Sequence, residues 1–253
     1  MILIIAAVAA IALADGAGAT EPPATECDVP ASLVSSESDL ARVTNALKEQ
    51  HRLDISVVGS GSSVLTGPDG TRFAYPARLE EALRAQLPGN EIKVTAHVEL
   101  RQTTADMASG LPKVLTDDKP TLVIWQAGTV DALRGVEPED FRASLESGIE
   151  TMEAGNVDVV MMNMQYSPRT ESMLGVEAYA DVMRWVAQQR GAVLFDRLAI
   201  MRAWTDAGIF NLYATTKDYA MARRVHECIG KALAALIINA AHLDAEKTQQ
   251  MTR

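Results

Sequence analysis

The sequence predicts an α/β domain: a doubly wound parallel sheet of five strands with helices on both faces. Three observations predict it. Five short apolar runs rich in β-branched residues recur along the chain, amphipathic helical patterns separate them, and the alternation fills about 200 of the 253 residues, the span of one such domain. Helices on both faces bury the strands between them, so the strands read as continuous apolar runs.

The elements follow in order. Ile2 to Ala14 is almost unbroken apolar sequence. It has the length of a secretory apolar core and falls short of the roughly 20 residues that span a bilayer. Ala12-Leu13-Ala14 and Ala17-Gly18-Ala19 both fit a small-x-small cleavage site, although no Lys or Arg precedes the run. Residues 1–19 are therefore expected to be a leader, and the mature protein to be exported, periplasmic or secreted, with no stable membrane span once the leader is removed. Residues 20–35, rich in Ala, Thr, Pro and Glu, read as a linker. Ser36-Glu37-Ser38-Asp39 is expected to open the first helix in the Ser-x-x-acid pattern, so the domain is set at 36–242, with a polar tail at 243–253. Strands are expected at Ile55–Val58, Ile92–Val98, Thr121–Trp125, Val157–Met162 and Ala192–Phe195. Helices are expected at Ala77–Leu87, Thr104–Leu115, Pro138–Glu153 and Val176–Gln189. In the first of these, Leu79, Ala82, Leu83 and Leu87 share one face. A last long helix is expected from Lys217 to Ala241, with Thr215 and Asp218 as its capping box.

Charge narrows the function classes. A net charge of −10 with no basic run argues against nucleic acid, since phosphate binding needs a positive field. The four histidines are scattered and the two cysteines lie far apart, so no metal site is expected. Cys27 and Cys228 form either a disulfide, in an oxidising compartment, or two separate buried thiols.

In doubly wound sheets, sites form at the carboxyl ends of strands. There the stretch "ISVVGSGSSVLTG", Ile55 to Gly67, runs from the first strand into a Gly-Ser loop. It contains no G-x-x-x-x-G-K-[ST], and Val64 stands where a G-x-G-x-x-G pattern needs its third glycine. The loop is therefore a tight turn or the seat of a nucleophilic serine. The Asn163–Pro168 segment after the fourth strand borders the same crevice, with no chemistry assigned to it.

Gly61-Ser62-Ser63-Val64-Leu65-Thr66-Gly67 resembles the first block, G-D-S-x-x-x-G, of the SGNH (GDSL-like) hydrolases. Gly128-Thr129-Val130-Asp131 resembles the third block, G-x-N-D; Arg101–Met107 resembles the helix start after the second block; Val225–Ile237 resembles the C-terminal helix of exported bacterial branches. The resemblance covers about residues 52–240. It implies a flavodoxin-like sheet, an ester (acetyl- or acyl-ester) substrate on a small molecule, carbohydrate or lipid, and no cofactor. It makes Ser63 the nucleophile, with Ser62 as the other candidate, and sets Gly61, Arg101, Gly128 and Asp131 around the oxyanion and crevice.

The departures are as specific. The family's oxyanion donors include a block-two glycine N–H and the block-three asparagine, and here Arg101 and Val130 stand at those positions. Arg101 either binds an anionic group or pairs with Asp131 or Glu99. The family's D-x-x-H finds Asp218 but no histidine at the fourth place. His226 is either the base, with Asp218 orienting it, or a helix residue packed beside Cys228. Two functions follow: an exported SGNH-like ester hydrolase, or a catalytically inactive binding or scaffold protein of the cell envelope. The sequence leaves the oligomeric state open.

Overall fold

The computed structural model describes residues 27–67, 69–213 and 219–243. The predicted leader, Asp218 and most of the polar tail lie outside them. Five strands form one parallel sheet: β1 (Arg52–Gly59), β2 (Glu91–Val98), β3 (Leu122–Gln126), β4 (Asp158–Met162) and β5 (Val193–Phe195). Their order is β2-β1-β3-β4-β5, as expected for a flavodoxin-like sheet. All five answer to the five apolar runs. In β3 and β4 every residue is buried, as helices on both faces require.

The strand order dictates where the helices go. The chain steps one way from β1 to β2 and the other way from β2 through β5. Because parallel crossovers are right-handed, the helices of the two directions fall on opposite faces. On one face α3 (Tyr75–Gln86) packs on α10 (Ala220–Ala240); on the other α4 (Thr104–Asp118) packs on α6 (Pro138–Ala154), and α6 on α8 (Val176–Arg190). Leu79 and Leu83 of α3 are fully buried, as their shared face requires. Gly230 lets α10 approach α3 closely: a Cβ there would lie 2.6 Å from Arg78 Cβ and 2.8 Å from the Leu79 nitrogen.

Three helix starts differ from expectation; α3 begins at Tyr75, two residues before the expected Ala77. The first helix, α1, is Ala41–Asn45 and does not begin at Ser36. The Ser36 hydroxyl instead donates to the Ser38 carbonyl and accepts the Ser38 N–H, closing a local turn that competes with the helix. The last helix begins at Ala220, not Lys217, and its expected Thr215–Asp218 box lies outside the described residues. Four further helices were not foreseen: α2 (Gly70–Phe73), α5 (Thr129–Arg134), α7 (Pro168–Met173) and α9 (Arg197–Asp206). Cys27 and Cys228 are joined in a disulfide, tying the start of the described chain to α10. No helix among the described residues is long and apolar enough to cross a membrane.

Candidate active site

The order in which strands are added reverses between β1 and β3, and the crevice opens there, at the carboxyl ends of the strands. It encloses about 660 Å³. Ser60, Gly61 and Ser62 contribute to its lining from the first loop, Arg101 from the turn after β2, Thr129 and Val130 from α5, Gln165 from the loop after β4, and His226 from α10. A second cavity of about 450 Å³ lies beside β2 and α4, lined in part by His97 and Lys113. No loop serine lines it, so the candidate site is the strand-end crevice.

Gln126, the last residue of β3, organises the serine loop. Its Oε1 accepts the Ser62 hydroxyl at 2.9 Å, the Ser63 hydroxyl at 3.0 Å and the Ser60 N–H at 3.3 Å. A backbone N–H can only donate, which fixes the amide with its oxygen toward the loop. Ser63 is wholly buried, and its Oγ also meets the Tyr75 hydroxyl at 3.0 Å. With the Ser63 proton on Gln126, Tyr75 is the donor of that bond. Ser63 therefore faces the core, while Ser62 opens onto the crevice. Both hydroxyl protons rest on an amide oxygen, which is no general base at neutral pH.

His226 lies in the second turn of α10, and its Nδ1 accepts the backbone N–H of Tyr75 at 3.0 Å. The remaining proton of the neutral ring must then sit on Nε2. Burial, reinforced by the nearby Arg197 charge, pushes the imidazole pKa down to about 3. The ring is neutral, with its acceptor nitrogen occupied and its donor nitrogen spare. Among the described residues no hydrogen bond joins His226 to any loop serine.

Arg197 opens α9 directly after β5 and is 1% exposed. Its Nη1 donates to the Ser62 carbonyl at 3.1 Å, and its guanidinium lies 5.7 Å from the centre of the Tyr75 ring. Burial brings its pKa down to about 10, against an opposing pull from Tyr75. Among the described residues no carboxylate pairs with it. It braces the loop through the Ser62 carbonyl.

The other expected site residues fall as follows. Asp131 is buried and accepts the Thr104 N–H and hydroxyl, fastening α5 to the first turn of α4. Arg101 does not pair with Asp131 or Glu99; the Glu99 carboxylate takes Gln102 instead. Arg101 has φ of +66°, the left-handed region that favours glycine. Arg134 donates to the Arg101 carbonyl at 2.8 Å. Gly128 has φ of +94°, and a Cβ there would lie 2.4 Å from Met164 Sδ. Val130 lines the crevice without a donor. Asp218 lies outside the described residues.

Tyr75, Gln126 and Arg197 were missed. Gln126 and Arg197 each sit at a strand's carboxyl end, so the strand-end rule could have flagged them. Tyr75 reaches the site only through the packing of α3 on α10, which one sequence does not display.

Known proteins resemble this chain over the same region. Esterase TesA of Pseudomonas aeruginosa is 29% identical over 138 residues, covering 54% of this chain and 67% of that one. An arylesterase of Vibrio mimicus is 28% identical over 95 residues, covering 38% of this chain and 46% of the relative, less than half its length. A crystal structure of TesA superposes with a TM-score of 0.57 at 25% identity, covering 72% of this chain and 99% of that one. The family profile reaches furthest: matched across residues 26–243, the serine loop, the crevice and α10 included, the chain belongs to the Non-GDSL lipase-like family.

Proposed function

We propose that the crevice recognises carboxylic esters and holds them without serine-based turnover. The esterases among its relatives support the ligand class. One observation carries the absence of turnover: the acceptor nitrogen of His226 is occupied by Tyr75. An attacking serine needs a base within about 3 Å with a free lone pair. The loop register supports the same reading. β1 ends at Gly59, so a G-D-S block started on the last strand residue falls on Gly59-Ser60-Gly61, with glycine at the nucleophile's place. Val130 removes an oxyanion donor as well, a loss that typically costs about 10²–10³ in rate. The Cys27–Cys228 disulfide supports an exported protein, because such bonds persist in oxidising compartments.

Hydrolysis is the second reading, favoured by the esterase relatives and by Ser60 and Ser62 opening onto the crevice. In it Ser62 or Ser63 attacks, His226 is the base and Asp218 orients it, on an acetyl or acyl ester of a carbohydrate or lipid.

The test combines a fluorophosphonate probe, p-nitrophenyl butyrate turnover and calorimetric titration with methyl octanoate. Binding without turnover is expected to read as saturable methyl octanoate uptake, no labelled serine, and no turnover that Ser62→Ala removes. Stoichiometric labelling at Ser60, Ser62 or Ser63, with turnover lost in the matching alanine variant, would establish the hydrolase instead.

A further inference from the structure

The crevice lining holds two arginines and no carboxylate among the described residues, in a chain of net charge −10. Arg101 has no hydrogen-bonded or ionic partner for its guanidinium among them. Arg134, beside it, is half exposed and lies 3.9 Å from Asp106, too far for a tight pair. Behind the floor, buried Arg197 adds a third positive charge through its contact with the Ser62 carbonyl. His226 lines the same space as a neutral ring. Among the described residues every charged group lining the crevice is a cation, and a low-dielectric wall strengthens their field.

The mouth is apolar as well as cationic. Leu100 is 70% exposed and Leu133 61%, and each directly precedes one of the two arginines. Tyr219, 46% exposed, closes the same rim. Exposed large apolar side chains that gather at one opening mark a contact for apolar ligand.

We infer that the crevice selects an amphiphile with an anionic head, a carboxylate or phosphate monoester on an apolar chain, and that Arg101 is its head-group residue. The inference rests on the reading of this crevice as the ligand site. The head meets Arg101 and Arg134, while the chain lies over Leu100, Leu133 and Val130.

The test is calorimetric titration of the whole protein with octanoate, octyl phosphate, methyl octanoate and octyltrimethylammonium, each below its micelle threshold. At least one anion is expected to bind about fivefold or more tightly than methyl octanoate, the scale of a half-exposed charge pair. Added salt should shrink that preference. Octanoate against octyl phosphate tells which head is taken. Arg101→Gln and Arg134→Gln should each weaken the anion about fivefold and narrow its preference over methyl octanoate. Arg101→Gly, which relaxes the backbone, guards against misfolding of the first variant. Equal binding of anions and ester, or undiminished anion binding in the folded double variant, would overturn the inference while ester recognition stands. Anion binding with no ester binding would do the reverse, and no binding by any probe would end both.

Discussion

Tyr75 donates its backbone N–H to His226 Nδ1 across 3.0 Å, joining the first residue of α3 to the second turn of α10. The first N–H groups of a helix have no partner within it. Ala74, at the N-cap position, provides no side-chain acceptor, so the imidazole does the capping. His226→Ala should therefore leave a buried N–H unsatisfied and cost about 1–3 kcal/mol, with the lost ring volume adding to it. His226→Gln, whose amide oxygen can accept the same proton, should recover part of that. Urea unfolding of the two variants checks the order. A base in a serine hydrolase would show the opposite emphasis, with turnover lost in both variants and stability little changed.

The same ring makes stability depend on acid. Its pKa is lowered by burial, and then by Arg197, from the ordinary 6.5 to about 3. Between those values the unfolded chain binds a proton that the folded chain refuses, so stability rises with pH across this window. The contribution is fully present above pH 6.5 and is lost as pH falls toward 3, at no more than about 1.4 kcal/mol per pH unit. Thermal melts from pH 7.5 to 4.5 should fall more steeply for the wild type than for His226→Gln. Parallel slopes would show that the ring is not buried neutral. Arg197→Met should raise the imidazole pKa, as followed by NMR titration.

Ser63 and Gly59 share one small space. A Cβ on Gly59 would lie 2.4 Å from Ser63 Oγ. Gly59→Ala should overpack and cost about 1–3 kcal/mol. Ser63→Ala should cost about 1–3 kcal/mol by orphaning the buried Tyr75 hydroxyl. The double variant should cost less than the sum, since the second change removes the atom the first one strikes. Denaturant melts of the cycle measure the coupling. Ligand affinity should stay unchanged in Ser63→Ala, because this hydroxyl faces the core.

Each feature is legible in the sequence to the extent that local residues fix it. The five strands were legible because burial on both faces writes itself as unbroken apolar runs, Leu122–Gln126 most clearly. The strand-end crevice followed from the same alternation. Arg197 was overlooked because its residue type suggests surface, and only the packed structure reveals it buried beneath Ser62. The role of His226 was left open because Tyr75 is 151 residues away and the two meet only where α3 crosses α10. The first helix failed for a local reason: Ser36 serves a capping pattern and a tight turn equally well, and the turn won.

The Cys27–Cys228 disulfide joins positions 201 residues apart and pins the start of the described chain to a helix buried along most of its length. Closing so long a loop removes much of the freedom of the unfolded chain, worth up to about 5 kcal/mol by chain entropy, with about 2–5 kcal/mol typical of native bonds. Reduction, or Cys27→Ser with Cys228→Ser, should lower the urea midpoint accordingly. The slope on urea should rise as well, because the uncrosslinked chain unfolds further and exposes more surface. Neither cysteine lines the crevice, and the fold around His226 rests on the α3–α10 contact, so octanoate and methyl octanoate affinities should persist in the folded variant. A loss of ligand binding at full stability would instead make the bond part of the site. An unchanged midpoint would mean that the reduced unfolded chain stays compact enough for the crosslink to add little.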